Sequence, residues 1–433
     1  MAKTDKLATL IATMSHTERN FFRKFAQIYS KQGQRSYLDL FEQYAQGKSI
    51  SAGFRANQKA YLFQNILWAL RFYQRGQSIR RQVELLREQA ILLWERELVQ
   101  AALAQLAKAK TLAQSLEDWL LLLECVNLEL NWHKTLSRDP IQIQNLEAER
   151  QKIIGILHNE AFYLSCFERV FALARQAEFF RSAEELAELD SLLQSPALSD
   201  FKQAQSQSAF KYLLNTLGLW AQLQGQRETA QHYQDLMREH WEEHPLLRAE
   251  YPQLYFNTLC NSLNRSLARR QEQKTVELLH KLKNLKFHNL VQEVHWIERC
   301  LLYEQGLAEL RNDLSSLDEI ALRLRQAQTK YGSLFSAQQS LTLMYNLAML
   351  YTVRGDYPLA LDWCLALQQL PKTQIKQMTQ QFGRLLEIIL HLSLGNLDLA
   401  QNLALNFKKQ LQKKGKLFEF EKLILKMAQE APK

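Results

Sequence analysis

Residues 346–360 read NLAMLYTVRGDYPLA, and this stretch decides the fold. Ahead of Gly355, Leu347, Leu350 and Tyr351 recur at three- and four-residue spacing, the period of one face of an α-helix. Gly355 makes a turn, as glycine does where the chain reverses sharply. Helical spacing then resumes through Ala360. The stretch is therefore two antiparallel helices joined by a minimal turn. Two helices paired in this way cannot cross closely over a large side chain.

Two further segments share this frame. Leu217, Gly218, Gly225 and Ala230 repeat it, and Gly395, Asn396 and Ala400 repeat it again, 40 residues on by the glycine. Apolar residues keep helical spacing almost throughout, with short breaks at residues 137–140, 195–196, 225–226, 244–245, 355–356 and 395–396. Breaks of that length join antiparallel helices, and roughly 17 helices are expected. Composition agrees. The 433 residues include 80 Leu and 46 Gln, but 8 Val, 17 Ile, 15 Thr, 13 Gly and 7 Pro. Strands favour β-branched residues, and tight β-turns need Gly and Pro. Leu, Ala, Gln, Glu, Lys and Arg cost little in a helix. An all-α chain is expected, and a sandwich, a barrel or a Gly-rich nucleotide-binding fold is not.

The segment around residues 346–360 resembles the tetratricopeptide repeat. The resemblance gives Ala348 and Gly218 the small position between helices, and Gly355, Gly225 and Gly395 the turn. Tyr351 and Tyr357 become the packing aromatics, and Ala360, Ala230 and Ala400 the helix crossing. Arg227 and Leu397 stand where the family has an aromatic in the two weaker segments. The motif covers about a quarter of the chain. It implies an α-solenoid of degenerate helix pairs whose first helices line a concave, partner-binding face. Carried over, the concave positions are Thr342, Tyr345, Met349 and Thr352, then Tyr212, Asn215, Leu219 and Gln222. The third set, Phe382, Leu385, Ile389 and Leu392, is apolar and is expected to be covered by a following helix. Asn346 stands where peptide-binding members clamp a terminal carboxylate, but the accompanying basic residues are missing.

Residues 14–25 (MSHTERNFFRKF) and 37–41 (YLDLF) resemble the start of uncharacterised helical-repeat proteins of Bacteroidetes-type bacteria, a likeness that implies no activity. Ser15 with Glu18 forms a capping box, and Phe21, Phe22 and Phe25 give the helix one apolar stripe. Residues 1–75 are expected to be a basic helical cap and 76–433 the solenoid, since a terminal repeat has an unburied face.

No run of 18 apolar residues exists, so no membrane span is expected. Met1 to Leu10 carries Asp5 and lacks an apolar region, unlike a secretory signal. Cys125, Cys166, Cys260, Cys300 and Cys364 form no C-x-x-C, which fits buried thiols in a reducing cytoplasm. His240 and His244 with Glu243 match H-x-x-E-H, a pattern that can hold zinc. The competing reading is a polar helix end, where His favours the dipole. Gly47, Lys48 and Ser49 lack the upstream glycine of a phosphate loop, Glu42 standing in its place. No catalytic constellation is present, so no enzyme, cofactor or metal is expected.

Charge is uneven. Residues 1–81 carry +10, residues 82–404 carry −6 and residues 405–433 carry +5. Three functions are expected in order. The first is a protein-interaction scaffold that binds a partner segment or subunit through Tyr345, Asn346, Met349, Tyr212, Asn215 and Leu219. The second is self-assembly. The third is a nucleic-acid-linked regulator, with Arg19, Arg23, Lys24, Arg71, Arg75, Arg80 and Arg81 interleaved among aromatics. The C-terminal lysines, Lys408, Lys409, Lys413, Lys414 and Lys416, read as a solvated face.

Overall fold

A computed structural model describes residues 5–29, 36–46, 56–76, 78–136, 140–176, 196–287, 289–370, 377–412 and 419–430. The expectations at residues 47–49, 137–139, 195, 413, 414 and 416 lie outside the described residues. Among the described residues the structure is all-helical, with no strand and twenty α-helices of six residues or more. That exceeds the expected 17 because some pieces are short, such as the six-residue Pro245–Glu250. The chain divides into two compact units, residues 1–262 and 263–433.

The first unit opens with α1 (Lys6–Thr13), α2 (His16–Tyr29), α3 (Ser36–Ala45) and α4 (Ala56–Tyr73). The capping box forms as expected: the Glu18 N–H donates to Ser15 Oγ at 3.2 Å, and the Ser15 N–H to Glu18 Oε2 at 2.7 Å. Phe22 and Phe25 sink into one core with Leu7, Ile11, Phe41, Leu62 and Ile66. Next come α5 (Ile79–Trp94), α6 (Val99–Ser115), α7 (Trp119–Leu136) and the 37-residue α8 (Pro140–Gln176). Val83, Ala90, Leu106, Ala113 and Val126 bury a second core there. Trp94 and Trp132 stack beside it at 4.6 Å. A one-turn helix at Pro196–Ser199 precedes α9 (Gln207–Leu223), α10 (Arg227–Glu243) and α11 (Pro245–Glu250).

The unit boundary falls within α12 (Pro252–Ala268). The second unit continues with α13 (Glu272–Lys283), α14 (Leu290–Arg311), α15 (Leu317–Tyr331), α16 (Ala337–Arg354) and α17 (Tyr357–Gln368). It ends with α18 (Gln377–Ser393), α19 (Leu397–Gln412) and α20 (Glu419–Glu430). Leu301, Leu324, Leu347, Ala348, Tyr351, Ala360 and Trp363 share its main core.

One turn recurs through both units. At Gly355 (φ +85°) the Gly355 N–H donates to Thr352 O at 3.1 Å and the Asp356 N–H to Tyr351 O at 2.9 Å. This pair of bonds satisfies two orphan carbonyls at the helix end, and it requires left-handed backbone that glycine adopts freely. The same pair closes the turns at Gly225 and Gly395. It also closes turns at Glu97, Glu117, Arg270 and Asn312, where non-glycine residues hold φ between +53° and +61°. Five of the seven turns, at residues 225, 270, 312, 355 and 395, follow one another at 40–45 residues. The residue five places beyond each turn is buried: Ala102, Leu122, Ala230, Thr275, Leu317, Ala360 and Ala400. Glycine-free turns thus share the bond pair and the buried position of the three legible in the sequence, with Leu122, Thr275 and Leu317 standing where those three have alanine.

Close helix approach is seen at Gly218, where an added Cβ would lie 3.4 Å from Tyr233 Cβ. It is tighter at Gly306 and Gly383, where a Cβ would lie 2.7 Å from Leu267 Cδ1 and 3.0 Å from Leu367 Cδ2.

Candidate functional site

The face expected to meet a partner in the second unit lies on α16. Its inner residues, Leu343, Leu347, Ala348 and Tyr351, are buried. Tyr351 is pinned further: its hydroxyl donates to Asp318 at 2.8 Å, and Arg354 grips the same carboxylate at 2.9 and 3.0 Å. On the other side Tyr345 is half-buried against the core, and burial raises its phenol above the ordinary value. Asn346 is half-buried beside it. Met349 is 38% exposed and Val353 66% exposed. The two threonines of this face are spent internally, Thr342 Oγ1 donating to Gln338 O and Thr352 Oγ1 to Ala348 O. What the face offers is therefore apolar contact flanked by one aromatic and one amide.

The corresponding face in the first unit is largely occupied. Tyr212 on α9 lies 6.1 Å from the Phe167 ring of α8, with the Lys211 ammonium 4.8 Å from its own ring centre. Burial raises the Tyr212 phenol. Leu219 packs against Val170 and Trp220. Asn215 and Gln222 face outward. The tetratricopeptide frame gave no hint that α8 would run along this helix.

The third set is covered, as expected. Leu385 is buried with Leu425 and Ala428 of α20, with Phe382 and Leu392 packed beside them. The Phe382 and Phe420 rings lie 5.9 Å apart.

The basic residues separate into two groups. On α2, Arg19 donates to Ile11 O at 2.9 Å and to Ala45 O at 3.5 Å, and burial lowers its pKa. Arg23 forms a two-point pair with Glu42 at 2.7 and 3.0 Å, which raises the pKa of its guanidinium. Lys24 is exposed. Arg71, Arg75, Arg80 and Arg81 instead line one cavity of about 750 Å³ between α4 and α5, together with Leu67, Leu70 and Leu85. Glu84, Glu88 and Glu250 line it too. Arg71 pairs with Glu88 at 2.6 Å, and Arg80 with Asp118 at 3.3 Å. Glu250 accepts from Ser78 Oγ at 2.6 Å and from the Ile79 N–H at 2.8 Å, so it caps α5. Arg75 stacks 4.2 Å over the Phe72 ring. Among the described residues neither Arg75 nor Arg81 has a carboxylate partner. Sequence reasoning missed the contribution of Glu250, which stands 172 residues from Ser78.

The His240 ring is buried 5.0 Å from Phe210 and 4.6 Å from His244. Burial, then the neighbouring His244 and Lys211, push its pKa down to about 4. His244 Nδ1 lies 2.8 Å from the His240 carbonyl, the bond of a side chain closing its own helix end. Among the described residues no group of three His, Cys, Asp or Glu could hold a metal ion. All five cysteines are buried thiols, and burial pushes Cys125 up to about 11 and Cys364 up to about 12. Thiols so raised are poor nucleophiles. No described helix is long and apolar enough to cross a membrane.

No protein-family model matches the chain, and no curated protein matches it.

Proposed function

We propose that this chain is a non-catalytic α-solenoid of tetratricopeptide-like hairpins that holds a protein partner on its helix faces. The recurring turn supports the repeat reading. Its spacing of 40–45 residues exceeds the roughly 34 of a tetratricopeptide repeat, which makes these hairpins a lengthened, degenerate form. The observation that carries the binding reading is the outer side of α16. Met349 and Val353, four residues apart, present exposed apolar surface, with the half-buried Tyr345 one turn before them packed against the core. A helix face of this kind is what another protein's side chains can bury. Buried cysteine thiols support a reducing, cytoplasmic setting.

The test is quantitative affinity purification from the source cell, comparing the natural chain with Met349→Glu joined to Val353→Glu. Both substitutions fall on exposed positions, so the fold should persist. A stoichiometric protein retained by the natural chain and lost by the variant supports the scaffold. Equal recovery of all proteins by both chains overturns it. If the retained protein is a second copy of the chain, the scaffold is a self-assembling one.

A further inference from the structure

We infer that Glu298 and Gln305 of α14 form a two-point clamp on α16, and that loss of the Glu298 proton opens its first point and loosens the start of the partner-binding helix. This adds regulation to the scaffold reading and rests on it for that consequence. Glu298 accepts the Ser336 N–H, and Gln305 Nε2 donates to Leu343 O at 3.1 Å. Each bond joins residues 38 apart, and the second lies seven residues beyond the first on both helices. Seven residues make about two helical turns, so both points fall on one face of each helix. α14 and α16 therefore run parallel and in register at this seam. The seam is otherwise apolar, with Leu301 of α14 in one core with Leu343 and Leu347 of α16.

Both clamp residues are buried. Gln305 and the apolar seam have no proton to lose, and Glu298 does. As a neutral carboxyl it accepts the Ser336 N–H at little cost. As a carboxylate it is a buried charge, which is expensive unless it is paired. Burial accordingly pushes its pKa up to about 7, against the pull of the Ser336 N–H and of Arg299. The other charged groups of the helices packed there are matched elsewhere. On α14, Arg299 Nε donates to His295 Nε2 at 3.4 Å, and burial lowers the pKa of that imidazole. On α13, His280 lies against Asn284, Lys281 pairs with Glu277 at 2.8 Å and Lys283 pairs with Glu304 at 2.5 Å. On α15, Arg323 pairs with Glu304 at 2.8 Å, Arg325 lies 4.8 Å over the Trp363 ring, and Lys330 lies 4.9 Å over the Tyr331 ring. Residues 336–343 of α16 include no charged side chain. The clamp is therefore closed with the proton on and opens as pH rises towards 7. The loosened stretch leads directly into Tyr345 and Met349, so a partner on that face must re-order it, which weakens binding.

The test is hydrogen exchange of the full chain, natural and Glu298→Gln, corrected for the intrinsic effect of pH on exchange. In the natural chain the amides of Ser336 and residues 339–343 should lose about tenfold or more of their protection between about pH 5 and about pH 7. Glu298→Gln, which keeps an acceptor and cannot ionise, should hold that protection. Dilute urea should leave these rates unchanged while it speeds exchange in the core, the mark of a local opening. Protection independent of pH, protection lost equally in Glu298→Gln, or rates that follow urea as the core does would overturn the clamp. No partner enters this measurement, so its failure and failure of the scaffold reading are seen separately. The protein captured by the α16 face should bind the natural chain more tightly at the lower pH, with the difference lost in Glu298→Gln. An equal difference in both chains, or none in the natural chain, would overturn the regulatory consequence.

Discussion

Glu298 on α14 accepts the backbone N–H of Ser336, the residue that caps α16. The carboxylate is 2% exposed, and burial pushes its pKa up to about 7 although the Ser336 N–H and Arg299 pull it down. The folded chain therefore holds this proton more tightly than the unfolded chain does. Stability should fall as pH rises from the unfolded carboxylate value, about 4.3, towards 7, and stay low above it. Glu298→Gln keeps an acceptor for Ser336 and cannot ionise. At about pH 8 the variant should exceed the natural chain by up to ~3 kcal/mol in urea unfolding, and near pH 4 the two should coincide. A variant less stable at the higher pH would show that the carboxylate charge is needed.

His240 should give the opposite slope. Its folded pKa of about 4 lies below the unfolded value near 6.5, so its contribution is complete above about 6.5 and is lost as pH falls towards 4. In an NMR titration the His240 ring should stay neutral down to about pH 5, and added zinc should leave its resonances unmoved. A ring that titrates at the ordinary value, or one that zinc shifts, would show a solvated site.

The seven hairpin turns make a matched pair of tests. Arg270 is exposed and holds φ +55°, a conformation that costs a side-chain-bearing residue about 1 kcal/mol. Arg270→Gly should therefore stabilise the chain by about that amount. Gly355 has φ +85°, and an added Cβ would meet nothing within 4 Å. Gly355→Ala should cost about 1 kcal/mol through backbone strain alone. Thermal melts followed at the helical signal check both signs.

Gly306 tests packing rather than backbone. A Cβ there would press on Leu267 Cδ1 at 2.7 Å. Gly306→Ala should destabilise by about 1–3 kcal/mol. Combining it with Leu267→Ala should cost less than the sum of the two, because the second change vacates the space the first needs. Additive losses would place the strain elsewhere.

Arg19 and Lys24 share α2 and differ in role. Arg19→Lys removes the fork that reaches both Ile11 O and Ala45 O, and should cost about 1–2 kcal/mol. Lys24→Ala should stay within about 0.5 kcal/mol, as an exposed residue should. Urea midpoints compare the two directly.

The hairpins at Gly225, Gly355 and Gly395 were readable because glycine marks left-handed backbone. Those at Glu97, Glu117, Arg270 and Asn312 were not, because there residues other than glycine hold the same left-handed backbone. The Phe22 and Phe25 stripe and the Ser15–Glu18 box were readable because both are local. Tyr212 and Leu219 looked like free concave positions, and only the course of α8 shows that they lie against it. Arg19, Arg23 and Lys24 are alike in sequence, and the carbonyls and carboxylate that separate them come from α1 and α3. The α4–α5 groove depends on Glu250, far along the chain, so no motif could announce it.

The scaffold reading is tested most directly by hydrogen exchange on the purified chain, alone and saturated with the protein that co-purifies with it. Slowed exchange confined to the helices whose apolar faces are open, α16 foremost, is the predicted result. Unchanged exchange on α16, or protection confined to the α18 and α20 core that is already covered, would contradict it.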